Sequence, residues 1–82
     1  MNKINKRTVE LRVKELVSEA LQIPISQASE ELSFGDIPQW DSMGHMGIML
    51  LLEERFNLEI EASIISTLTS IPDICVYIGK ME

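Results

Sequence analysis

Trp40-Asp41-Ser42-Met43-Gly44-His45-Met46-Gly47-Ile48-Met49-Leu50-Leu51-Leu52-Glu53-Glu54-Arg55-Phe56-Asn57 opens with residues that start a helix and closes with one that stops it. Asp41 carries the short carboxylate that caps a helix N-terminus, and Asn57 suits the turn that ends one. A helix over 42–56 follows. Its apolar residues Met43, Met46, Ile48, Met49, Leu50, Leu51, Leu52 and Phe56 run nearly all round the wheel. Such a helix either lies centrally or meets partners on a second side.

Upstream, Val9, Val13, Leu16 and Ala20 recur at helical spacing, and Val17 and Leu21 widen the stripe. This predicts an amphipathic first helix over 7–21, capped by Thr8 or Asn5 and ended before Pro24. Residues 22–41 form a long connection. Pro24, Gly35 and Pro38 break helix there, yet Ile23, Ile25, Leu32, Phe34, Ile37 and Trp40 are large and apolar, so the loop should pack onto the helices. A connection of this length is uncommon in a compact domain unless it has a function. Ser29-Glu30-Glu31-Leu32 suits a single helical turn. Downstream, Leu58-Glu59-Ile60-Glu61 reads as an extended connector and residues 62–68 as a short third helix. Ser70-Ile71-Pro72-Asp73 reads as the capped start of a last helix over 71–79. In that helix Ile71, Ile74, Cys75 and Ile78 face inward, and Gly79 frays or ends it. The sum is an all-α fold, a small four-helix bundle of three longer helices and one short one within a single domain, 1–82.

Composition narrows the function. The net charge is −6, and it is unevenly placed. Lys3, Lys6, Arg7, Arg12 and Lys14 face only Glu10 in residues 1–14, whereas residues 15–82 hold twelve acids against Arg55 and Lys80. An acidic body repels nucleic-acid phosphate and favours partners with basic docking patches, although acidity also keeps a small protein soluble. With Cys75 and His45 each the only one of its kind, neither an internal disulfide nor a Cys/His zinc site can form. The N-terminus lacks the apolar run of a secretory signal, and the longest apolar stretch, Met46 to Leu52, falls far short of the roughly 20 residues of a membrane span. A cytoplasmic protein without a membrane span is expected.

The chemistry-bearing pair is Asp41-Ser42. A helix N-terminus presents unpaired backbone N–H groups and partial positive charge, so a phosphate ester on Ser42 would sit favourably there. Asp-Ser at a helix start is by itself weak evidence, because a cap followed by a first-turn residue is an ordinary pairing.

Context sharpens it. The stretch 35–46 with Leu52-Glu53-Glu54-Arg55-Phe56 closely resembles the acyl carrier protein family, in which Asp-Ser-Leu or Asp-Ser-Met opens the second helix and a Glu-Glu pair and a Phe stand near its end. The resemblance covers roughly residues 7–80 and is most specific over 40–56. It implies a carrier that is not an enzyme and has no catalytic residue. Ser42 would hold 4′-phosphopantetheine transferred from coenzyme A by a phosphopantetheinyl transferase. The arm's thiol would carry an acyl or aminoacyl group as a thioester to loading and processing enzymes of fatty acid, polyketide or related biosynthesis. It also implies that the second helix is the main recognition element, with Trp40, Met43, Gly44, His45, Met46, Gly47, Glu53 and Glu54 as its partner-facing residues and Asp41 as the flanking cap.

The departures are informative. Many fatty-acid carriers place acids two and five positions after the serine; here those positions are Gly44 and Gly47. Helical glycine costs up to about 1 kcal/mol against alanine, so the pair serves close approach by a partner or tight packing against the long loop. A flatter, less acidic docking face is expected, with Glu53 and Glu54 supplying its charge. Met43, Met46 and Met49 fill core or form an adaptable surface; Trp40 anchors the loop or meets a partner; His45 is a surface residue or contacts the arm or a partner. A Ser42–His45 hydrolase would need an oxyanion hole and an orienting acid that no pattern supplies. The Trp-Asp-Ser-x-x-His form resembles stand-alone acyl or polyketide carriers, and Asp41-Ser42-Met43-Gly44 also resembles D-alanyl carriers. A non-catalytic helical adaptor explains the apolar helix and the acidity but not the loop-Asp-Ser-helix arrangement.

Overall fold

The computed structural model describes residues 6–81; the cap expected at Asn5 lies outside them. Four helices follow in order: α1 (Lys6–Leu21), α2 (Ser42–Phe56), α3 (Ala62–Ile65) and α4 (Ile71–Met81), with a 3-10 turn at Ile25–Gln27 between α1 and α2. The all-α bundle expected from the periodicities is present. Among the described residues the sole β-type pairing is an isolated bridge between Ser33 and Ser70.

The predicted apolar stripes are the ones that pack. Val9, Val13, Leu16, Val17 and Leu21 of α1 are buried with Ile48, Met49 and Leu52 of α2 and Ile71, Ile74 and Ile78 of α4. α1 lies against both α2 and α4, so it is the element that joins the bundle. On the surface Arg12 stacks its guanidinium over the Phe56 ring, 4.6 Å from the centroid. Arg55 pairs with Glu19 at 2.6 Å. The hydrogen bond and then the charge of Glu19 raise the Arg55 pKa above its ordinary value.

Local chemistry sets the helix ends. Asp41 has extended backbone, and its Oδ1 accepts the Gly44 N–H at 2.9 Å, as its capping role requires. Ser70 does the same for α4, its Oγ accepting the Asp73 N–H at 3.1 Å. Asn57 closes α2 in the left-handed conformation, φ 54°, and the Leu58 N–H reaches back to the Glu53 carbonyl at 3.1 Å. The Asn57 N–H reaches the same carbonyl, making a left-handed C-terminal turn in which glycine or asparagine is favoured. A β-branched residue in this conformation costs about 1–2 kcal/mol. Asn57→Val should therefore lower the unfolding free energy by about that much, read as a depressed thermal midpoint, whereas Asn57→Gly should leave the midpoint level or raised.

Several boundaries differ from expectation. α1 ends at Leu21 as expected, through Gln22, also left-handed at φ 57°, with the Ile23 N–H on the Ser18 carbonyl, but it starts one residue earlier, at Lys6. The helical turn in the loop lies at Ile25–Gln27; Ser29 to Leu32 is a single hydrogen-bonded turn, with the Leu32 N–H on the Ser29 carbonyl. α3 stops at Ile65 instead of residue 68, because the Thr67 and Leu68 N–H groups bond three residues back in a tightening turn. α4 runs through Gly79 to Met81. The loop does pack as its composition suggested. Ile23, Ala28, Leu32 and Trp40 are buried and Ile37 is half-buried, but Ile25 and Phe34 stay exposed. It is tied to the start of α4 by Ile71 N–H on the Leu32 carbonyl and Phe34 N–H on the Thr69 carbonyl. No helix among the described residues is long and apolar enough to cross a membrane.

Candidate functional site

Ser42 is the first residue of α2 and is exposed. Asp41 before it is also exposed, with one carboxylate oxygen committed to the cap. Met43 after it is 84% exposed. The hydroxyl therefore stands at a helix mouth whose first-turn N–H groups point outward, beside a side chain that itself lies mostly in solvent. A phosphate ester fits there on two counts, space and the positive helix end.

Beneath this open mouth lies a closed junction. Trp40 is fully buried and His45 is 7% exposed. The indole Nε1–H donates to His45 Nδ1 at 3.0 Å. An indole nitrogen can only donate, so Nδ1 carries no proton. The imidazole proton is then on Nε2, which donates to the Ile65 carbonyl at 2.9 Å. Phe34 meets the same ring edge-on, centroids 5.6 Å apart at 88°, a favoured aromatic geometry. One imidazole thus joins the long loop, the first turns of α2 and the end of α3.

This corrects two assignments. Trp40 and His45 are not partner-facing: their side chains are interior, so Trp40 is the loop's anchor and His45 a core residue. The Ser42–His45 hydrolase loses its base as well, because both imidazole nitrogens are committed elsewhere. Gly44 and Gly47 divide differently from the even choice that the pattern offered. A Cβ on Gly44 would fall on the Gln39 carbonyl oxygen and within 2.8 Å of Leu21 Cδ2. Gly44 is thus glycine because the loop and α1 crowd it. Gly47 meets only the Ala20 carbonyl, at the ordinary distance of 3.9 Å. Glu53 is half-buried, and its carboxylate accepts the Ile60 N–H at 2.8 Å, bracing the connector to α3 instead of facing outward. Glu54 is exposed. Of the three methionines, Met49 is core, while Met43 and Met46 with Leu50 leave an exposed apolar stripe along α2 that starts beside Ser42.

Phe34 and the Ile65 carbonyl carried no site signal in the sequence. They join the site only through the tertiary approach of segments eleven and twenty positions away from His45.

No protein-family model matches the chain. Over 70 residues it is 31% identical to an acyl carrier protein of Chlamydia caviae, an alignment spanning 85% of this chain and 91% of that protein.

Proposed function

Since the chain belongs to the acyl carrier protein family, we propose that Ser42 is its point of attachment for 4′-phosphopantetheine, and that it carries acyl intermediates as thioesters. The carrying observation is the exposed serine at the capped, positive end of α2. A phosphopantetheinyl transferase would deprotonate the Ser42 hydroxyl. The oxygen would form a phosphate ester with the pantetheine half of coenzyme A, displacing the adenosine bisphosphate half. When bound, the arm supplies a terminal thiol that holds the acyl group. The chain's own residues orient and present: Asp41 fixes the first turn, and the Trp40–His45 junction holds that turn against the loop. Tethering raises the effective concentration of cargo at each partner enzyme.

Among family members we favour a stand-alone acyl or polyketide carrier working in the cytoplasm with loading and acyl-processing enzymes, on the strength of the Trp-Asp-Ser-x-x-His form. Incubating the chain with coenzyme A and a broad-specificity transferase should add one arm by intact mass. An unchanged mass under conditions that load a control carrier would overturn the reading.

Docking should depend little on salt. On α2, Glu53 is occupied by the connector and Arg55 by Glu19, leaving Glu54 beside the apolar stripe Met43, Met46 and Leu50. An exposed ion pair is worth roughly 0.2–1 kcal/mol, so raising salt should weaken transferase binding by about fivefold or less. A much steeper loss would show that docking is chiefly electrostatic.

A further inference from the structure

The junction under Ser42 is built around an imidazole whose protonation the carrier reading does not use. We propose that His45 is a positioning residue for the Ser42 turn and an acid-sensitive latch. In its neutral Nε2–H form it clasps Trp40 and α3, and a second proton opens the clasp. The argument is one of valence. The imidazole accepts from Trp40 at Nδ1 and donates to Ile65 at Nε2. A proton added at Nδ1 would face the indole N–H hydrogen directly, so that bond must break, while the Ile65 bond can persist.

Among the described residues no ion pair compensates the imidazolium. The groups that face the ring are the Trp40 indole, the Phe34 phenyl and the Ile65 carbonyl, none of them charged. On the elements that carry them, Asp36 in the loop accepts from the Ser33 N–H. Asp41 is held by the Gly44 N–H, and Glu61 stands at the far end of α3, before Ala62. No ion pair to His45 is present among the described residues. Acid therefore weakens the contact between Trp40 and the first turns of α2, two residues from Ser42. The consequence for loading rests on the carrier reading; the latch itself does not.

The sequence makes the test clean, because His45 and Trp40 are the only histidine and tryptophan. In the 15N-labelled full chain at pH 8, the imidazole should show Nε2 protonated and Nδ1 bare. As the pH is lowered from 8, the indole N–H resonance and the Trp40 emission should shift together with protonation of the imidazole. His45→Gln supplies a neutral acceptor and donor that do not titrate, and should abolish the emission transition. In transferase assays, the loading rate of wild type relative to His45→Gln should change over the same interval. The Nδ1–H tautomer at pH 8, an indole resonance unmoved while His45 titrates, or the same transition in His45→Gln would each overturn the latch. The first two need only the wild-type chain. A latch that titrates as expected in a chain that never loads would remove the carrier reading alone.

Discussion

Replacing Trp40 with alanine is expected to cost about 3–5 kcal/mol of unfolding free energy, the range for deleting a fully buried large aromatic. The side chain is wholly interior, and its loss opens a cavity between the loop and α2. It also strands His45 Nδ1, and an unsatisfied buried acceptor costs about 1–3 kcal/mol. The two costs overlap because they share one site. For a domain whose whole stability is of order 5–15 kcal/mol, this substitution alone can empty the native state. Trp40→Phe separates the parts: it keeps most of the apolar volume and removes only the N–H donor, so its cost should stay near the hydrogen-bond range. Urea unfolding followed by circular dichroism measures both, since fluorescence is lost with the only tryptophan. Equal costs for Phe and Ala would mean that the indole's hydrogen bond, and not its bulk, holds the loop.

Gly44→Ala should destabilise by about 1–3 kcal/mol, the usual range for overpacking, even though alanine is the better helix former by up to about 1 kcal/mol. Leu21 can turn away from the new methyl, but the Gln39 carbonyl is backbone, so the turn from Ile37 to Asp41 must move and carry the Ser42 cap with it. Gly47→Ala, three residues on in the same helix, provides the opposite case. Its methyl would meet only ordinary van der Waals contact, so the propensity gain survives and stability should rise by about 0.5–1 kcal/mol. Thermal melts of the two variants should move in opposite directions. A shift of the same sign for both would show that the loop does not sit against Gly44 as described.

What the sequence disclosed and what it hid divide along physical lines. Asp41, Ser70 and Asn57 act on backbone within a few positions of themselves, so their roles could be read directly, and the bounds of α2 follow from two of them. The stripes of α1 and α4 were likewise readable, because burial of one face imposes a period. Gln22 was not, since glutamine has no local preference for the left-handed turn that it adopts after α1. His45 misled for a different reason. A polar residue among apolar neighbours on a helix reads as exposed unless its partners are known, and these are Trp40, Phe34 and a carbonyl twenty residues away. Glu53 misled likewise, its partner being the Ile60 amide beyond the end of α2. Met43 and Met49 share a residue type and a helix yet lie at opposite extremes of exposure; only the packing direction of α2 against α1 decides which is which. The exposure of Ser42 sits between these cases: the cap foretold its place at the helix start, while its accessibility depended on no other segment folding over it.

The most direct test is where the arm goes. After reaction with coenzyme A and transferase, digestion and tandem mass spectrometry should locate a single phosphopantetheine on the Ser42 hydroxyl, and Ser42→Ala, folded by circular dichroism, should take up none. An arm found on any other residue, or a Ser42→Ala chain that loads as wild type does, would contradict the assignment.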